Sequence, residues 1–272
     1  MKKQDILTPI GLILAVGLVI FGAMQGKSGL GIFFDPASIA ITIGGSFASV
    51  LITFSSDDLK KIIKILRTSF TSHNIYKIDL VDQFKELSRK VRKDGVLSIE
   101  SEVNEIEDNF LRKGLELVID GLEPDTIKEI LELEMLEIEG GYNKGSKIFK
   151  VWGTYAPAFG MIGTLMGLIQ MLAGGLGSAD AIASGMSVAL ITTLYGSLLA
   201  NIVLNPVGFN IQSKGEKEIE YREMMLTGIM SIQDGDSTRV IEEKMITFLT
   251  VEEKRKYYTR EVDSEGVSVN AV

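Results

Sequence analysis

Four stretches of this chain contain no Asp, Glu, Lys or Arg: residues 6–26, 36–56, 151–179 and 181–213. Each reaches the roughly 20 residues a helix needs to cross a ~30 Å hydrocarbon layer. The composition agrees, at 46% hydrophobic residues with a mean hydropathy of +0.22. The first stretch is too long for the apolar core of a cleaved signal, and no small-x-small site followed by a soluble domain comes after it. The sequence therefore predicts four membrane-spanning helices, at about 6–26, 36–55, 151–174 and 181–206, arranged as two hairpins.

Orientation follows from where the bases lie. The segment between the first two stretches holds only Lys27, and "GGLGSAD" between the last two holds no base. The other bases sit at the N-terminus, in the middle segment or in the tail from Lys214, which places those parts and both termini in the cytoplasm. The expected fold class is an all-α membrane protein. It has an N-terminal hairpin over 1–56, a cytoplasmic helical domain over 57–149, a second hairpin over 150–212 and a helical cytoplasmic tail over 213–272.

The cytoplasmic segment repeats apolar residues at helical spacing. Leu59, Ile62, Ile63, Leu66 and Phe70 make one stripe. Leu80, Phe84, Leu87 and Val91 make a second, stopped by Gly95. Ile99, Val103, Ile106 and Phe110 begin a third helix that ends near Gly121, and Glu123-Pro124-Asp125 opens a fourth with Ile127, Ile130 and Leu131. Charge is lopsided here. Residues 60–93 carry ten bases against three acids, and residues 94–139 carry three bases against fifteen acids. Most of these are solvated helix faces, but the two blocks together suit a partner of alternating charge.

Several chemistries are excluded. The formal charge of −8 argues against a nucleic-acid binder. With no cysteine and one histidine, His73, in the loop-like "TSHNIY", no metal site is expected. No phosphate-binding loop, nucleophile elbow or HExxH is present, so no catalytic residue and no cofactor are expected.

The spans are informative in what they contain instead. Gly153, Pro157, Gly160, Thr164, Gly167 and Met171 share one face of the third span, and Gly185, Ala189, Thr193 and Ser197 recur every four residues in the fourth. Small faces let helix backbones approach closely in lipid. Two readings stand: packing of the third span on the fourth, or a smooth bed for a further helix. On the second, Gly153, Gly160, Gly167, Gly185 and Ala189 contact a partner helix. Pro157 and Pro206 each remove a backbone bond near the inner ends of these spans. No acid lies in the membrane core, although intramembrane acids ordinarily mark ion relays. If this chain moves ions, the titrating carboxylate comes from another protein, and Thr164 and Thr193 supply only neutral oxygens.

The segments "PAFGMIGTLMGLIQML", "ALITTLYGSLLANIVLNPVG", "VRKDGVLSIE" and "VIEEKMITFL" resemble motifs of the MotA/PomA family of flagellar stator subunits. The resemblance covers nearly the whole chain. It implies an ion channel formed with a MotB-like protein, whose membrane helix carries an aspartate. It also implies a homo-oligomer of five chains around two MotB-like chains, which conducts protons or sodium and drives the rotor protein FliG. By motif position, Pro157 and Pro206 match the prolines that couple ion flow to conformational change, and Thr193 the threonine near the partner's aspartate. Arg92 and Glu100 match the charged pair that engages FliG, and Thr164 resembles the hydroxyl of sodium-type members. Two other readings are an ExbB/TolQ-like motor subunit, a family that typically has three spans, and a non-conducting membrane scaffold.

Overall fold

The computed structural model describes residues 3–4, 7–26, 29–60, 71–72, 77–174 and 178–264. Positions 62–70 of the first cytoplasmic stripe, His73, Lys27 and the last eight residues lie outside the described residues. Among the described residues the protein is all-α apart from one antiparallel pair of two-residue strands, β1 (Lys3–Gln4) and β2 (Thr71–Ser72). It divides into two compact units, residues 1–73 with 140–215, and residues 74–139 with 216–272.

The first unit holds the apolar helices. α1 runs Leu7–Met24. The second span is α2 (Pro36–Ile39), a π turn (Ala40–Gly44) and α3 (Gly45–Thr53), continuous with one another. Asp35 caps it, accepting from Ser38 N at 2.8 Å, and Pro36 occupies the first helical position, where its missing N–H costs nothing. The third span is the C-terminal part of α7 (Pro124–Ala173). The fourth is α8 (Ala179–Leu198), a second π turn (Leu199–Leu204) and the first turns of α9 (Asn205–Gln233). Among the described residues, four helices are thus long and apolar enough to cross a membrane. The side-chain core of this unit is small: Phe149, Ala156, Ala200, Leu204, Val207 and Ile211. α1 buries no residue, and its Thr8 hydroxyl accepts from Asn210 Nδ2 at 3.0 Å.

The third and fourth spans run on beyond their apolar stretches. α7 continues without a break from Pro124 and α9 continues to Gln233, because a change from apolar to charged residues does not interrupt a helix. Gly140, Gly141 and Pro157 are all accommodated inside α7.

The second unit is built from α4 (Lys77–Asp94), a 3₁₀ turn (Val96–Ile99), α5 (Glu100–Glu105), α6 (Asn109–Ile119), the start of α7, the end of α9, α10 (Thr238–Ile246) and α11 (Val251–Ser264). The predicted stripes supply its core: Leu80, Phe84 and Leu87 of α4, Ile99, Val103, Ile106 and Phe110, and Ile127 with Leu131 of α7. Residues 99–121 differ from the single helix expected there. They form a 3₁₀ turn and two helices, broken at Ile106–Asp108. α5 ends at Glu105, and Asp108 caps α6, accepting from Phe110 N at 2.9 Å and Leu111 N at 3.0 Å. Its carboxylate competes for backbone donors better than a continued helix would.

A buried ionic cluster fixes the C-terminal helices in this unit. Lys85 Nζ donates to Glu242 at 3.0 Å, to the Tyr257 hydroxyl at 2.8 Å and to Glu261. Burial alone would lower the Lys85 pKa, but its bonds to Glu261 and Glu242 hold it above its ordinary value. The hydrogen bond from Lys85 in turn holds the Glu261 carboxyl low.

Candidate functional site

The glycine faces meet each other within the chain. A methyl group placed on Gly160 would lie 3.0 Å from Thr192 O, and one on Gly167 2.5 Å from Gly185 O. One on Gly185 would lie 2.6 Å from Gly167 O, and one on Gly196 2.7 Å from Ala156 O. The side chain of Asn205 fills the space beside Gly153. α7 and α8 therefore touch backbone to backbone along this seam, as small residues permit in lipid. Gly153, Gly160, Gly167, Gly185 and Ala189 are all buried. Within this chain these positions pack against its own helices: Gly160, Gly167 and Gly185 at backbone contact and Gly153 against the Asn205 side chain.

The threonines have a different place. Thr164 Oγ1 lies 2.6 Å from Thr193 Oγ1, and both lie near the same carbonyl, Ala189 O, at 3.0 and 3.1 Å. Thr164 Oγ1 is also 3.1 Å from Gly160 O. Each hydroxyl has one proton, and a carbonyl or the other hydroxyl takes it, so lone pairs are what the pair presents to its surroundings. Thr193 is exposed and Thr164 half-buried, at the rim of the α7–α8 seam rather than inside it. The adjacent Thr192 is fully buried and accepts at its carbonyl from the Thr42 hydroxyl at 3.4 Å.

The second span is tied to this hairpin by polar contacts. Tyr195 OH donates to Phe33 O and accepts from Asp35 N at 3.2 Å. Trp152 Nε1 donates to Ser46 Oγ at 3.0 Å, and Thr53 Oγ1 lies 3.0 Å from the Tyr155 hydroxyl. These anchors escaped the sequence reading. The one signal for them was hydroxyls and an indole standing in otherwise apolar spans.

The two prolines sit at different structural points. Pro157 is inside α7, level with the close approach of Gly196, whose added methyl would lie 3.1 Å from Pro157 Cα. Pro206 is exposed and lies one residue beyond the π turn Leu199–Leu204, separated from it by Asn205. Lacking an N–H, it cannot extend that wider hydrogen-bond pattern, so the π turn gives way to α-helix there.

In the second unit Arg92 lies in the last turn of α4 and Glu100 opens α5; both are exposed. Between them Gly95 has φ +85°, a conformation that glycine adopts without strain, and the chain turns the corner there. A cleft of about 450 Å³ lies elsewhere in this unit, between α4, the Ile106–Asp108 break and α9. Glu86, Glu102, Glu105, Glu107 and Asp108 line it with Tyr221. Burial, with the charges of Asp108, Glu218 and Asp79, pushes the Tyr221 hydroxyl up to about 12. Among the described residues, no group of three or more His, Cys, Asp or Glu could hold a metal ion.

Comparison with known proteins gives this arrangement a context. The profile of the MotA/TolQ/ExbB proton channel family matches residues 102–224. The chain is 40% identical to the uncharacterized protein YtxD of Bacillus subtilis, over 94% of each chain. It is 38% identical to motility protein A of Borreliella burgdorferi, over 90% of this chain and 94% of that one. The flagellar MotAB stator complex from Bacillus subtilis contains a chain that superposes with a TM-score of 0.84 at 29% identity, covering 91% of this chain and 97% of that one. With four membrane-length apolar helices, this is a multi-pass protein of the inner membrane. The chain belongs to the MotA/TolQ/ExbB proton channel family, among its motility protein A members.

Proposed function

We propose that this chain is the ion-conducting stator subunit of a flagellar motor. With a MotB-like partner it couples the inward flow of protons or sodium to torque on the rotor protein FliG. The observation that carries this reading is the hydroxyl pair Thr164–Thr193. It presents oxygen lone pairs at the rim of a seam whose spans supply no carboxylate of their own. Neutral oxygens can ligate an ion in transit but cannot titrate, so the acid belongs to the partner. The MotB-like helix lies along that rim rather than on the buried glycines, and several copies of the chain, five by family resemblance, surround two such helices. Both termini are cytoplasmic, as the distribution of bases indicates. Pro157 and Pro206 let the inner ends of the third and fourth spans change conformation, and Arg92 with Glu100 contacts the rotor. Similarity over nine-tenths of the chain to motility protein A favours a flagellar role over an ExbB/TolQ-like one.

The test is ion flux in vesicles, with sodium and proton gradients applied separately. The chain alone is expected to carry no flux, and the chain with a MotB-like partner freed of any plug is expected to carry it. Thr193→Val keeps the side-chain volume and is expected to lower flux with assembly preserved. Robust flux from this chain alone, or full flux from Thr193→Val, would reject the reading.

A further inference from the structure

Asn201 is a polar amide in an apolar span. It lies within the π turn Leu199–Leu204 and is exposed. Its Nδ2 donates to Ser197 O at 3.0 Å. An Asn amide has a second N–H and a two-lone-pair oxygen besides, and no bond from these to a described residue is present. Leaving such groups against hydrocarbon costs several kcal/mol, so protein or water meets them.

The position of Asn201 shows which surroundings it shares. It is one four-residue step from Ser197, which is one four-residue step from Thr193, and all three are exposed. In an α-helix each such step overshoots a full turn by ~40°. The wider π turn takes back part of that drift. Thr193, Ser197 and Asn201 therefore form one polar line about 12 Å long, at ~1.5 Å per residue. Their neighbours Thr192, Gly196 and Ala200 are buried against the chain itself. Beyond the line, Pro206 leaves a carbonyl of the preceding turn without its usual donor.

We propose that Asn201 is a second station for the monovalent cation, or hydrated proton, that passes the Thr164–Thr193 pair. Its amide oxygen receives the ion farther along the same helix edge. Neutral oxygens suit a station of this kind, because they bind firmly enough to admit an ion and weakly enough to release it. The proposal rests on reading the hydroxyl pair as part of the ion path.

The experiment uses the full chain in complex with its MotB-like partner, in vesicles under a sodium or a proton gradient. Asn201→Leu is expected to lower flux on the order of tenfold, the effect of losing one bond to a charged group, with complex yield unchanged. Asn201→Gln keeps the amide and is expected to recover part of that flux. Asn201→Asp adds a negative charge, and the ion concentration giving half-maximal flux is expected to fall in whichever arm carries current. A purely structural amide would alter complex yield and leave half-saturation where it was, and that result overturns the proposal. Full flux from Asn201→Leu beside depressed flux from Thr193→Val overturns it while sparing the hydroxyl-pair reading. Full flux from both variants overturns both.

Discussion

The two units of this protein solve the same problem, helix against helix, with opposite materials. In residues 74–139 and 216–272, large side chains fill the space. Phe84, Phe110, Leu111 and Tyr257 are almost wholly buried, and the buried glycines Gly114 and Gly228 face side chains, Ile229 and the ring of Phe84. In the unit of apolar helices, Gly160, Gly167 and Gly196 on the α7–α8 seam instead face main chain: Thr192 O, Gly185 O and Ala156 O lie where a methyl would go. Water explains the difference. In the aqueous unit, burying a large apolar group is rewarded by roughly 25 cal/mol per Å². Between helices already in lipid that reward vanishes, and close backbone contact with hydroxyl-to-carbonyl bonds takes over.

The comparison can be broken at its strongest point first. Phe84→Ala empties a fully buried site in the aqueous unit and is expected to cost about 3–5 kcal/mol. Chemical denaturation of the isolated segments is not required; loss of protection from limited proteolysis between residues 74 and 139 reports it. A smaller effect would mean that this unit, too, gains little from side-chain burial.

The second prediction concerns charge. Lys85→Met leaves Glu242 and Glu261 without their cation, and is expected to cost about 2–4 kcal/mol, somewhat less than a fully buried pair because Glu261 is partly exposed. The contribution also depends on pH. Glu261 has a folded pKa below its ordinary 4.5, so its share is present above that value and is lost as pH falls through the folded pKa. Lys85 has a folded pKa above its ordinary 10.5, so its share is full below that value and is lost as pH rises past the folded pKa. Release of α11, followed by hydrogen exchange, is expected at both extremes in the parent chain, and already at neutral pH in Lys85→Met.

The third prediction sharpens the contrast within one helix. Gly167→Ala drives a methyl into Gly185 O and is expected to cost about 1–3 kcal/mol, read as a lower melting temperature in detergent. Gly140→Ala, in the same α7 but with nothing within 4 Å of the added methyl, is expected to gain up to about 1 kcal/mol from helix propensity. Equal responses at the two positions would show that contact does not govern where glycine is needed.

Much of this was legible in the sequence, for reasons that particular residues make plain. The charge-free stretches foretold the spans, and Leu80, Phe84 and Leu87 foretold a buried face, because both signals are local and periodic. The break at Ile106–Asp108 was missed because Asp108 reads equally well as a solvated acid on a continuing helix. The glycines were legible as a seam, but spacing alone could not say whether their neighbour was α8 or another protein. The alliance of Lys85 with Glu242, Tyr257 and Glu261 spans over 150 positions, and no local pattern carries it. Asn201 was passed over as one polar letter in an apolar run. Its exposure on the same edge as Thr193 emerges only in three dimensions.

The contacts of Tyr195 and Thr192 with the second span bear on how the protein is made. The bonds between Asp35 and Tyr195 and between Thr42 and Thr192 join positions 160 and 150 residues apart. A ribosome adding some 5–20 residues per second needs about 8–30 s to cover that distance. For that interval the second span exists without its later neighbour. Local bonds serve meanwhile: Asp35 with Ser38, and Ser46 with Ile43 O at 3.1 Å. The first hairpin can thus enter the bilayer as a provisional structure. It is completed only when the fourth span emerges, so translation itself sets the order of assembly.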